Sequence, residues 1–158
     1  MNPSNVRIAR GLVTLAVLTG LMACAEDSRA QKPATATVYL NGHPIAAEIA
    51  ETREQQSRGL GGRAALGPDE GMLFIYAEEG NHTFWMRDML ISIDMIWIRN
   101  LRIVHIESFV PVPAPGTPVN QLPTYSASEP SNFVLEIAAG RSAELSIAVG
   151  GRVRFDFN

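Results

Sequence analysis

The chain has 158 residues, 46% hydrophobic and 18% charged, the size and balance of one globular domain with a single core. Its formal charge is −3 and no basic run follows the amino terminus, so the electrostatic footprint of a nucleic-acid binder is missing and acidic partners are disfavoured. The single cysteine rules out an intramolecular disulfide, which leaves packing to hold the fold.

Arg7 and Arg10 precede an apolar run over residues 11–22. It is too short to span a bilayer comfortably and is ordered, positive end first, as a secretory signal. An exported, periplasm-facing protein is expected. Leu21-Met22-Ala23-Cys24 resembles a lipobox, which would make residues 1–24 a lipoprotein signal and Cys24 the lipidated membrane anchor. Ala25 rather than Asp follows it, which favours outer-membrane sorting where the host has two membranes. Ala23-Cys24-Ala25 also fits an ordinary signal-peptidase site, and a cut there would leave a soluble periplasmic protein. Removing Arg7 and Arg10 leaves 11 basic against 16 acidic residues, a charge of about −5. Residues 25–34 are polar, small and Pro-bearing, a flexible tether.

Residues 35–40 (Thr-Ala-Thr-Val-Tyr-Leu) are strand-like, Asn41-Gly42 is a hairpin turn signal, and residues 45–50 return as the partner strand. Thr52-Arg53-Glu54-Gln55 fits a capping box opening a short helix that ends near Arg58, with Gly59, Gly61 and Gly62 providing a tight exit. Residues 71–76 (Gly-Met-Leu-Phe-Ile-Tyr) suit a buried strand, and extended runs follow at 82–89, 92–98 and 102–110. Residues 111–130 carry Pro at 111, 113, 115, 118, 123 and 130, a loop long enough to be functional or poorly ordered. A strand at 132–138, a short helix within 141–148 and a last strand at 152–157 complete a β-rich single domain, residues 35–158, of sandwich or barrel type.

The stretch from His82 to Ile98 concentrates aromatic and sulfur side chains. Read with period two, Ile91, Ile93, Met95 and Trp97 share one strand face, and Ser92, Asp94, Ile96 and Ile98 share the other. Asp94 is the anomaly, because a buried carboxylate needs a partner. A planar guanidinium is the best side-chain partner, so Arg58 or Arg63 is expected to pair with Asp94, either as an internal salt bridge or as part of an anion or polar-ligand pocket. Phe84 and Met86 alternate inward, which aims Trp85 outward with Arg87. An exposed Trp85 beside Arg87 and Asp88 would make a ring-stacking platform for a sugar, unless the 111–130 loop covers it.

Two chemistries carry less weight. His82, Met86, Met89 and Met95 offer thioether and imidazole to Cu(I), but His43, His82 and His105 lie in separate segments without ligand spacing, so no metal and no cofactor is expected. Asp94 and Glu136 would have to flank one bond to act as paired glycosidase carboxylates, and Glu136 equally suits the solvent face of its strand. No G-x-S-x-G elbow or HExxH helix occurs.

Several blocks in order carry a resemblance: Arg58-Gly59-Leu60 with Arg63, Gly71-Met72-Leu73-Phe74, Phe84-Trp85-Met86-Arg87, Ile93-Asp94, and Val134-Leu135-Glu136 with Gly140. Together they resemble domain of unknown function family 192 (uncharacterised protein family 0127) over residues 34–155. The resemblance implies a compact β-sandwich of jelly-roll character, often exported, with no established activity. Gly61 stands where the family usually has a larger residue, Met89-Leu90 replaces a polar pair, and a cysteine sometimes found in the proline-rich segment is absent. The reading that results is a mainly β, compact single-domain sandwich with one or two short helices. It is exported, lipid-anchored and non-catalytic, and binds a polar envelope ligand such as a glycan through Arg58, Arg63, Trp85, Arg87, Asp88 and Asp94. Gly59, Gly71, Phe84, Met86 and Glu136 serve the structure. The alternatives are a carbohydrate-active enzyme using Asp94 and Glu136, and an accessory lipoprotein acting by protein contact through the proline-rich loop.

Overall fold

The computed structural model describes residues 34–158. The signal segment, Cys24 and the tether up to residue 33 lie outside the described residues. Strands β1 (Thr35–Leu40) and β2 (His43–Ala50) form the expected hairpin, with Asn41 and Gly42 both at positive φ, 49° and 84°. Two such residues in succession give the turn whose twist matches that of the flanking strands. The chain then enters helix α1 (Arg53–Arg58), capped as the sequence predicts: the Gln55 N–H donates to Thr52 Oγ1 at 3.2 Å and the Thr52 N–H to Gln55 Oε1 at 3.0 Å.

Strand β3 (Glu70–Gly80) lies parallel to β2 and antiparallel to β8 (Ser131–Ala138), which pairs with β5 (Ile93–Arg99), itself paired with β6 (Arg102–Val110). On the other side β9 (Val153–Phe157) pairs with β1, giving the order β6-β5-β8-β3-β2-β1-β9. The sheet curls until its ends meet: the Ile103 N–H donates to Gly151 O at 3.0 Å and the Val153 N–H to Leu101 O at 2.9 Å. Curling joins two edges that would otherwise present unpaired backbone.

The period-two reading of β5 holds on both faces. Ile96 and Ile98 join Val38, Leu40, Ile45, Leu73, Leu135 and Ile137 in one buried cluster, while Ile93, Met95 and Trp97 join Met72, Phe74, Phe84, Met86 and Val134 in another. The second cluster is capped by Leu60, just past α1, and by a small sheet of β4 (Thr83–Trp85) and β7 (Thr124–Ser126). Sequence periodicity extends the 82–89 run too far. After Trp85 the chain turns, with Asp88 at φ 59°, and the Gly62 N–H donates to Asp88 O at 2.8 Å, tying this turn to the α1 exit. The proline-rich segment is ordered by β7 and a 3₁₀ turn at Val119–Gln121. Helix α2 (Arg141–Glu144) follows β8. The domain is mainly β with two short helices, as expected.

Gly71 permits the closest strand approach. A Cβ there would lie 2.6 Å from the Glu136 carbonyl oxygen and 3.2 Å from Ile137 Cγ2. Gly71→Ala must therefore push β3 and β8 apart, at an expected cost of about 1–3 kcal/mol, read from the urea midpoint. An unchanged midpoint would refute the close packing.

Candidate functional site

Asp94 is fully buried, as predicted, but neither arginine is its partner. Its Oδ1 accepts from the Phe109 N–H at 2.8 Å and the Gly140 N–H at 2.9 Å, and its Oδ2 accepts from the Ser142 N–H at 2.9 Å and Ser142 Oγ at 2.6 Å. Two features aim these donors. Ile93 pairs with Val110 and Met95 with Glu107, so Ser108 and Phe109 together oppose Asp94 in a bulge, and α2 starts at Gly140 with φ 85°. A bulge leaves a residue free of the ladder, and the start of a helix leaves N–H groups without intrahelical acceptors. The carboxylate satisfies both, which makes Asp94 a brace between β6 and α2.

The arginines are engaged elsewhere. Arg58 reaches Glu54 one turn back at 2.7 Å, exposed, and Arg63 pairs with Glu48 on β2, beside Leu66 and Glu70. The expected pairing with Asp94 is thus corrected for both, and Arg63 and Asp94 leave the candidate ligand set. The paired-carboxylate reading is corrected as well. Asp94 lies opposite Ile137 and Glu136 opposite Met95 on neighbouring antiparallel strands, so their side chains point to opposite faces of the sheet and share no cleft.

The structure does bring Arg58, Trp85, Arg87 and Asp88 together around two adjoining cavities, Trp85 lining the inner one, Asp88 the outer one and both arginines lining each. Phe84 and Met86 are buried and Trp85 is 41% exposed, so the 111–130 segment docks β7 on β4 without covering the indole. Arg87 lies over that indole, its Cζ 5.1 Å from the ring centre, and its Nε is 3.5 Å from Asp88 Oδ2. The outer cleft, about 440 Å³, is lined by Glu54, Ser57, Arg58, Gly61, Gly62, Arg87 and Asp88. It shares Ser57, Arg58 and Arg87 with a deeper hole of about 70 Å³ walled by Phe74, Tyr76, Phe84 and Trp85.

Glu136 sits in the wall of that hole. Its side chain is buried and its Oε2 has no hydrogen-bond partner. Burial pushes its carboxyl from 4.5 up to about 8, and burial together with this neighbouring carboxyl pushes the Tyr76 hydroxyl up to about 12. Gly59, at φ 51°, roofs the hole, and a Cβ on it would lie 3.4 Å from Phe74 Cζ and 3.9 Å from Glu136 Oε2. Sequence reasoning assigned Glu136 a structural or solvent-facing role, or a catalytic one paired with Asp94, and overlooked Tyr76. The available signal was the unbroken run Val134-Leu135-Glu136-Ile137, since a strand apolar at both parities is covered on both faces. Tyr76 also stacks on His82, ring centres 3.4 Å apart, and desolvation lowers the His82 pKa. Met86, Met89 and Met95 are packed in the core, and among the described residues no three His, Cys, Asp or Glu side chains cluster to hold a metal ion.

Comparison with known proteins agrees with this architecture. A crystal structure of a protein of unknown function from Novosphingobium aromaticivorans DSM 12444 is 32% identical with a TM-score of 0.65, over 77% of this chain and 83% of that one. A second, from Sinorhizobium meliloti 1021 and described as a candidate transcription regulator, is 24% identical with a TM-score of 0.67, over 78% and 94%. That likeness speaks to fold alone. No curated protein matches. The model of the family described as DUF192, an uncharacterized ACR, matches residues 36–155. Spanning most of the chain and nearly all of its β-domain, that match places this protein in the DUF192 family.

Proposed function

We propose that this protein is an exported, lipid-anchored, non-catalytic β-module that binds a polar envelope ligand such as a glycan in the cleft formed by Arg58, Trp85, Arg87 and Asp88. The observation that carries the reading is the half-exposed Trp85 under the Arg87 guanidinium, lining a hole that shares Ser57, Arg58 and Arg87 with the wider cleft. An indole with an apolar face and a neighbouring fork of hydrogen-bond donors suits a sugar ring, which presents C–H groups on its face and hydroxyls at its edge. The export and anchor parts rest on Arg7, Arg10, the apolar run and Cys24. Mass spectrometry of the mature amino terminus tests them: a diacylglyceryl-modified Cys24 supports the anchor, and cleavage after Ala25 refutes it.

The binding reading predicts that the purified protein captures envelope glycans on an array. Trp85→Ala should weaken that capture by roughly tenfold or more, the equivalent of about 1.4 kcal/mol, while the unfolding midpoint stays in place. An unchanged binding profile would instead favour the accessory-lipoprotein reading, in which the proline-rich segment docks a protein. That reading draws on the exposure of Val112 and Val119.

A further inference from the structure

The inner hole poses a question of its own. Glu136 projects from β8 between Met95 of β5 and Met72 of β3, neither of which offers it a hydrogen bond. A buried polar atom without a partner is costly, and this one belongs to a carboxyl that lines an open cavity. At about 70 Å³ the cavity admits a few waters or one terminal functional group, and is well below the size of an ordinary ligand site. A sugar ring in the outer cleft would therefore reach Glu136 only through a substituent.

The walls narrow the substituent. Phe74, Tyr76, Phe84 and Trp85 line the hole. Aromatic rings with an acid among them favour a cation over a hydroxyl or an amide, because the ring quadrupoles and the carboxylate act in the same direction. A primary ammonium brings three N–H donors to the unpartnered oxygen, whereas a quaternary ammonium is bulkier and brings none. At the mouth the charges are reversed. Arg58 and Arg87 would repel a bare amine, but their partners Glu54 and Asp88 are highly exposed and readily exchanged for a ligand anion.

We propose that the inner pocket receives a primary ammonium group, seated against Glu136 within the aromatic walls, from a ligand whose anionic group lies on Arg58 and Arg87. This rests on the reading of the cleft as a binding site and specifies the ligand as an amine-bearing zwitterion. The charged or titratable groups around Glu136 are Tyr76 from β3, Arg58 from α1 and Arg87 from the β4–β5 connection; Met72 and Met95 are apolar. Before a ligand arrives the acid is neutral at pH 7, since burial pushes that carboxyl up to about 8. An arriving ammonium favours the carboxylate, so the acid proton leaves to solvent on binding. Affinity then rises with pH, by up to about tenfold per unit below pH 8.

Calorimetric titration of the mature protein tests this with two matched pairs of probes: phosphoethanolamine against glycerol phosphate, and glucosamine against glucose. The amine of each pair should bind at least about tenfold more tightly than its partner, and phosphoethanolamine more tightly than glucosamine. The heat should depend on the ionisation enthalpy of the buffer in the sense of proton release, a wild-type readout that needs no variant. Glu136→Gln should abolish both the preference and the release. No amine preference in either pair, proton uptake, or a preference surviving Glu136→Gln would overturn the proposal. Glucosamine preferred over phosphoethanolamine would retain the ammonium seat and remove the anion at the arginines. Trp85-dependent glycan capture without amine preference would refute only this inference. Amine binding without glycan capture would refute only the glycan reading.

Discussion

Alanine at position 94 is expected to destabilise the domain by about 3–6 kcal/mol, because it orphans two buried N–H groups and the part-buried Phe109 N–H at about 1–3 kcal/mol each together with the Ser142 hydroxyl. The donors come from two elements, Phe109 at the end of β6 and Gly140 and Ser142 at the start of α2. The loss therefore separates β6 from α2 and does not simply open a cavity. Asp94→Asn should be little better than Asp94→Ala. Both oxygens of Asp94 accept from N–H groups, so either orientation of an amide sets its NH₂ against a backbone donor. Ser142→Ala removes only one donor and should cost about 1 kcal/mol. Since Arg63 is bound to Glu48 and Arg58 to Glu54, alanine at either arginine should stay within about 1 kcal/mol of wild type. Urea unfolding of the set decides the matter. A loss below about 1 kcal/mol for Asp94→Ala, or one equalled by Arg58→Ala or Arg63→Ala, would defeat the brace.

The same residue shows what a sequence reveals. That Asp94 is buried follows from its place among Ile93, Ile96 and Ile98, because alternation is a property of the strand and is written in neighbouring letters. Its partner is not. Backbone N–H groups are carried by almost every residue, and their availability depends on the β6 bulge and the start of α2, 15 to 48 residues away. A reading limited to side chains chooses a guanidinium because that is the partner with a letter of its own. Local devices were legible for the converse reason: the Asn41-Gly42 turn and the Thr52–Gln55 capping box close within a few residues, and both form as expected. The outward Trp85 also follows from alternation, whereas Arg87 and Asp88 reach it through the turn after β4, with Asp88 at φ 59°. The inner pocket does not follow from alternation either, since it assembles Gly59, Phe74, Tyr76, Phe84 and Glu136 from four separate segments.

Stability should fall as pH rises from about 4.5 to about 8, and Glu136 is the reason. Its carboxyl titrates near 4.5 when unfolded and is pushed up to about 8 by burial when folded, so between those values the folded state holds one proton more than the unfolded state. Raising the pH then favours unfolding. The slope approaches about −1.4 kcal/mol per pH unit at most, and the integrated loss is on the order of a few kcal/mol. The contribution is complete below about pH 4.5 and gone above about pH 8. His82 acts in the opposite sense: desolvation lowers its pKa, so its protonation favours unfolding as pH falls through the 6.5 of the exposed ring. Tyr76, pushed up to about 12, loses no proton in this range. Subtraction separates the groups, because Glu136→Gln removes the carboxyl and leaves His82 in place. The stability of Glu136→Gln relative to wild type should therefore climb steadily between pH 5 and 8, with the variant the more stable protein at pH 8. Parallel wild-type and variant stabilities across that range would mean that the carboxyl is solvated in the folded state, and the unpartnered acid behind the inner pocket would go with it.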